Sequence, residues 1–398
     1  MSLLGVLKAV EPHLQPYRHL GGTNRVHAVR QWALQNPEPS RLIREAIEVF
    51  EKYDGSNNLM ATAGNGFVTI NPDHMSFILV DATIDRGATF AVRALRRLLR
   101  TESAAVNVSC LIWGVSVDER IKLAPNVHLS PIDPTELDPR VRAAIDQFPF
   151  FARRRESFSI LSSKIVVSPV VQEAKEINQP QAPSHDAFMV MRDVVSVLRL
   201  VRPNPTLLVQ RWDDFEAAEL NAVSPVRGTM GMIHETLPFM DEGTPTVDAS
   251  FGKFVRRYLG LPRELKNKLE RSLERLNTGL LRRNTLDRGL EAGIALEMLL
   301  LPEDLNTEIA YRLALRAALL TGKTITEREN VRASVKRLYD IRSRAAHGST
   351  RAKPHDREHL QSGLESCAKV IREFILRGAI PPWQKLEMGV EPPRADTP

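Results

Sequence analysis

Cysteine is almost missing from this chain: two in 398 residues, Cys110 and Cys367. Two thiols make neither a disulfide framework nor a Cys/His zinc knot. Cys110 falls in an apolar, strand-like run and Cys367 in a helical one, so both are expected as buried thiols in a reducing compartment. No apolar run reaches the roughly 20 residues of a membrane-spanning helix, and residues 1–10 lack the charged-then-apolar order of a signal peptide. A Walker loop, a Gly-rich dinucleotide turn and an internal repeat are all missing. These absences point to a cytoplasmic protein with no cofactor and no membrane partner. The length exceeds one ordinary core, so two or three domains are expected.

The charge that is present is unevenly spread. The whole chain carries +6, yet residues 251–350 hold 20 Lys and Arg against 12 Asp and Glu. Much of the excess lies in Lys253, Arg256, Arg257, Arg263, Lys266, Lys268, Arg271, Arg275, Arg282 and Arg283. A solvated helix face is the plain reading, partly balanced by Glu264, Glu270 and Glu274. A phosphate-tracking surface is the functional one. Aromatics near it are few (Phe251, Phe254, Tyr258), so base stacking is not strongly signalled.

Helical patterning dominates the same region. A helix over 286–300 has Thr285 or Asp287 as N-cap and stops at Pro302. A second covers 305–320, with Ile309, Leu313, Ala317 and Leu320 on one stripe and Gly322 as its cap. A third runs from about Glu327 through Leu338 and Ile341, and a fourth follows Pro354 to Arg377 and Gly378. Short loops between long amphipathic helices make antiparallel neighbours, hence a helical bundle over 250–380 with no strand in 286–345.

The third helix ends in Tyr339-Asp340-Ile341-Arg342-Ser343-Arg344-Ala345-Ala346-His347-Gly348. Arginine grips phosphate with a planar fork of donors, and histidine moves protons near neutral pH. The pair Arg342 and His347 therefore reads as a polyanion-binding or RNA-cutting site. Spacing by itself is weak: about one Arg-x4-His arises by chance in a chain this rich in arginine. A rival pair, Arg227 and His234, lies in a Gly/Met-rich stretch with no helix signal. Residues five apart stand roughly 140° apart on a helix, so a loosened last turn or a second chain must complete the site.

Three blocks in order, ALEMLLLPED (295–304), IAYRLALRAALLTG (309–322) and LYDIRSRAAHG (338–348), resemble the HEPN superfamily, specifically its Apea-like branch. The resemblance covers about residues 250–380. It implies a helical bundle whose Arg-x4-6-His motif forms a metal-independent endoribonuclease site across a homodimer, in a toxin-like or phage-defence setting. Members that serve only as RNA-binding or dimerisation modules make up the alternative. Carried onto this chain, Arg342 and His347 are the catalytic pair, and RNA with 2′,3′-cyclic phosphate and 5′-hydroxyl ends is the expected product. Tyr339, Ser343, Glu297 and Arg316 are supporting residues, and Arg344, Arg282 and Arg283 are RNA contacts. Glu297 reads most simply as the partner of a buried Arg316; orienting Arg342 is its second reading.

Residues 1–245 read as a mixed α/β region of unknown role, which makes the chain α+β with an all-α C-terminal part and a polar tail at 381–398. A helix is expected over 40–53, a basic helix over 88–100 and a helix over 185–201. Strand-like runs cover 66–70, 76–80, 104–117, 120–132 and 158–170, and 172–184 is an exposed loop. Ser184-His185-Asp186 reads as a helix start and not a hydrolase triad. His355 and His359 read as a solvated helix face and not a metal site. Arg153-Arg154-Arg155 reads as an exposed basic patch.

Overall fold

The computed structural model describes residues 2–20, 22–50, 59–64, 67–132, 139–146, 158–177, 183–203, 205–226, 229–231, 243–301 and 308–390. The rival pair Arg227 and His234, the triplet Arg153 to Arg155, and the expected features at 51–53, 302–307 and 391–398 lie outside the described residues.

The chain is α+β. Helices α1 (Leu3–Leu14), α2 (Gly22–Gln35), α3 (Pro37–Glu48), α4 (Pro72–Arg86) and α5 (Ala88–Arg100) come first, with strands β1 (Leu59–Ala61) and β2 (Val68–Thr69) between α3 and α4. Strands β3 (Ala104–Trp113), β4 (Ile121–Ala124), β5 (Val127–Pro131), β6 (Phe158–Val167), β8 (Leu207–Phe215) and β9 (Thr229–Gly231) form one sheet in the order β4-β5-β6-β3-β8-β9. All its pairings are antiparallel. A small sheet joins β2, β1 and β7 (Val171–Glu173). Helix α6 (Pro139–Asp146), helix α7 (Pro183–Leu198) and the short α8 (Ala218–Ala222) complete the first half.

One sequence expectation fails here. Residues 76–80, read as a strand, lie inside α4. Asn71 caps it through Asp73 and His74 N–H groups, and Pro72 supplies the fixed φ of a first helical turn. Met75, Leu79 and Val80 are buried at helical spacing, which a short window read as a run of apolar residues hides. The expected loop at 172–184 is also partly ordered, as β7, a 3-10 turn and the start of α7.

The second half is helical: α9 (Ala249–Leu259), α10 (Arg263–Leu281), α11 (Thr285–Leu300), α12 (Ile309–Thr321), α13 (Ile325–Ala346), α14 (Asp356–Arg377) and α15 (Trp383–Glu387). The described residues of 286–345 hold no strand. Asn284, and not Thr285 or Asp287, caps α11 by accepting from Leu286 N–H at 2.8 Å. Two small side chains let α11 and α13 approach closely: a Cβ on Gly289 would strike Ile341, and one on Gly293 would stand 2.5 Å from Arg342 Cγ.

Apolar packing does not stop where the class changes near residue 245. One buried cluster runs from Val108, Cys110 and Ile112 of the sheet through Phe188 and Val194 of α7 to Leu338, Cys367 and Phe374 of the bundle. Helix α9 seals it against β4, where Arg256 Nη1 donates to Lys122 O at 2.8 Å. A separate cluster fills α1 to α5, and a third lies on the other face of the sheet around Trp113, Phe158 and Trp212. Both cysteines are fully buried, and burial pushes each thiol up to about 12.

Candidate RNA-binding and cleavage site

Arg342 occupies the last full turn of α13, one residue past buried Ile341. That position turns it toward α11, where Gly293 leaves room for its Cβ and Cγ. Its Nη2 donates to Glu297 Oε2 at 3.0 Å. Nε and Oε1 are also 3.0 Å apart, but off the line a hydrogen bond needs, so this second contact is electrostatic only. The guanidinium carbon lies 5.6 Å from the Tyr339 ring centroid, within cation–π range. With its side chain 25% exposed, Arg342 is held on three sides yet still open to solvent. Nη1 has no partner among the described residues, so part of the fork remains available for a phosphate oxygen.

His347 is the C-cap of α13. Its backbone N–H still donates to Ser343 O at 3.1 Å, and Gly348 then turns the chain at φ +80°, a conformation natural to glycine. The imidazole is exposed and carries no side-chain hydrogen bond or ion pair among the described residues. No hydrogen bond, ion pair or ring contact joins it to Arg342 among the described residues. Arg342 leans on α11, while His347 stands exposed at the helix end. Ser343 is half-buried between them.

Arg316 belongs elsewhere. It is buried, donates through Nε to Glu387 Oε1 and through Nη1 to Leu300 O, both at 2.7 Å, and lies 5.0 Å over the Trp383 ring. The simplest sequence reading, Glu297 with Arg316, is thus wrong, and its second reading, Glu297 with Arg342, is the observed pair. Helix α15 supplied the alternative carboxylate; a five-residue helix in the tail leaves no periodic signal.

Arg344, expected as an RNA contact, is a latch. Its Nη2 donates to Asp356 Oδ1 at 2.6 Å, and Lys353 N–H donates to Asp356 Oδ2 at 2.6 Å. Asp356 is buried at the start of α14. Burial pushes its carboxyl up, but the Arg344 and Lys353 hydrogen bonds outweigh this and hold it below the usual value. Stability from this latch is complete above the ordinary carboxylate pKa of about 4 and is lost as pH falls through the lowered native value. Asp356→Ala should cost about 2 kcal/mol near neutral pH. Denaturant unfolding should show that cost falling as pH drops through the lowered native value of the carboxyl; an equal cost at every pH would rule the latch out. Arg282 and Arg283 are exposed in the turn between α10 and α11.

The histidines at the other candidate positions do not assemble a site. His355 and His359 rings stand 6.3 Å apart, and no cluster of three or more metal-ligating side chains occurs among the described residues. Ser184 is buried and its hydroxyl accepts from Arg211, while His185 is exposed, so the Ser-His-Asp run is the start of α7. No helix among the described residues is long and apolar enough to cross a membrane. No family model, curated protein or solved structure matches the chain.

Proposed function

We propose that the bundle end carrying Arg342 and His347 binds RNA and cuts it, as in the HEPN-like proteins that the sequence resembles. The observation that carries this reading is the contrast between the two side chains. One arginine is oriented by Glu297 and Tyr339 with donors to spare, and one imidazole is unencumbered at the adjoining helix end.

The chemistry needs a base for the ribose 2′-hydroxyl, an acid for the departing 5′-oxygen and a cation beside the phosphorane. As the 2′-oxygen attacks phosphorus, an imidazole takes its proton; the P–O5′ bond breaks and an imidazolium protonates O5′. Arg342 stabilises the charge gathering on the non-bridging oxygens. One His347 supplies one of the two proton transfers, and a second copy of the chain across a two-fold axis supplies the other, which makes a homodimer part of the proposal.

A second reading keeps RNA binding without catalysis. Favouring it, the Arg342 charge is already partly neutralised by Glu297. Purified protein incubated with total RNA in EDTA, with ends mapped, separates the two. The expected result is persistent cleavage leaving 2′,3′-cyclic phosphate and 5′-hydroxyl ends. Intact RNA in both EDTA and magnesium would leave the binding reading standing, and cleavage only with magnesium would move the active site elsewhere. Light scattering should give a dimer mass.

A further inference from the structure

We propose that the connection 348–355, together with the Arg282–Arg283 turn, is a phosphate-docking platform that holds the backbone of a single-stranded RNA beside His347. The proposal rests on the RNA-binding reading above and adds where and how the strand lies.

Helix packing brings the two segments to one end of the bundle. Helices α10 and α11 are antiparallel neighbours, with Arg275 Nη1 3.3 Å from Glu291 Oε2. The contact of Gly289 with Ile341 lies five residues after Asn284 and five before Ala346. Leu300 at the end of α11 accepts from Arg316 of α12, whose Tyr311 lies by Arg332 in the first half of α13, whereas Gly289 meets Ile341 near the end of α13. Helices α11 and α13 therefore run in opposite directions, and both ends extend about 7–8 Å past the Gly289 contact on the same side. Arg344 then pins the start of α14 to the same end through Asp356.

Charge at this end divides into two groups. Arg342, Arg344 and Arg275 are committed to Glu297, Asp356 and Glu291. Arg282, Arg283, Arg351 and Lys353 are exposed, and none has a side-chain hydrogen bond or ion pair among the described residues. The inner arginines thus take up the sheltered carboxylates, and the outer four cations stay exposed, with the Lys353 ammonium close enough to Asp356 to help hold its carboxyl down. Lys353 is also positioned: its own N–H is tied to Asp356, which fixes the backbone from which its ammonium projects. Unpaired, exposed cations on an anchored segment suit a chain of phosphates.

Shape and stacking select the form of the ligand. Phe77 and Tyr311 are the aromatics among the exposed large hydrophobics of the described residues. Phe77 is in α4, and Tyr311 sits against Arg332, two full turns or more of α13 away from His347. Within the connection the one aromatic ring is the exposed His355, so the platform offers chiefly phosphate contacts, which carry no sequence information, and binding should be tolerant of sequence.

The test uses full-length protein carrying His347→Ala, so that RNA stays intact, and measures affinity for short oligouridylate and oligoadenylate across a salt series. Arg351→Ala/Lys353→Ala is compared with Lys336→Ala/Arg337→Ala, an equal loss of charge on exposed residues of α13. The expected result is a salt slope reduced by about 0.7 per lost contact, hence about 1.4 for the platform pair, with the control unchanged and both homopolymers affected alike. Arg282→Ala/Arg283→Ala should act in the same direction, which covers the case of a misfolded first variant. An equal fall in the control would make the effect one of bulk charge and overturn the proposal. So would platform-dependent binding to anionic lipid vesicles with no effect on RNA. If wild-type protein cuts no RNA but the slope falls as expected, the docking platform stands and the nuclease reading fails. If it cuts RNA with platform variants matching the control, the reverse holds.

Discussion

His347→Ala is expected to lower RNA cleavage by a factor of about 10²–10⁴ while leaving stability unchanged. The imidazole is exposed at the end of α13 and makes no side-chain hydrogen bond or ion pair among the described residues. Its removal therefore takes away proton transfer and little packing. Arg342→Ala should behave differently. It removes a phosphate contact that acts in the ground state as well as the transition state, so binding and turnover fall together. It also strips the partner from Glu297, whose side chain is only 21% exposed, so some stability goes with it. Single-turnover cleavage and thermal unfolding of the two variants check the contrast. A His347→Ala protein that cuts at the wild-type rate would remove the histidine from the mechanism.

Gly293→Val should unfold more readily by about 2–3 kcal/mol and lose cleavage without any change to Arg342 or His347. An added Cβ would stand 2.5 Å from Arg342 Cγ and 2.8 Å from its Cβ. The second of these atoms lies next to the α13 backbone, so a rotamer change cannot relieve the clash and the helices must part. Alanine is the less decisive substitution, because replacing a mid-helix glycine returns about 1 kcal/mol of helix propensity and offsets much of the strain. Valine adds two methyl groups and returns less. Parting α11 from α13 also lengthens the Glu297–Arg342 contact, so the orienting force on the guanidinium weakens. Chemical denaturation and the cleavage assay measure the two effects separately. A Gly293→Val protein as stable and active as wild type would show that the helices do not meet this closely.

Much of the architecture was legible in the chain. Helix α5 falls at the expected residues, because its apolar and basic positions alternate at helical spacing over a full 13 residues. The end of α13 was readable for a different reason: Gly348 marks the only change of backbone handedness near it, and the structure finds φ +80° there. Helix α14 likewise begins just past Pro354 and ends at Arg377, before Gly378 at φ +69°. What misled was a short window. Residues 76–80 are apolar enough for a strand, and only the caps at Asn71 and Gly87 reveal a helix of 15 residues.

The sequence by itself determined the class of α5, α11, α13 and α14, the helical character of the second half and the presence of an arginine and a histidine near one helix end, while it misread part of α4. Those follow from local periodicity, caps and residue chemistry, all of which act within a few turns. Tertiary structure alone decided the partners. Glu297 could serve Arg316 or Arg342 as far as spacing shows, and the choice was made by Glu387 arriving from α15. Arg344 looked as available as Arg282 until Asp356 folded back against it. Ion pairs join residues distant in sequence, and their choice depends on which helix ends meet; for that reason the charges that remain free can be known only after the others have been spent.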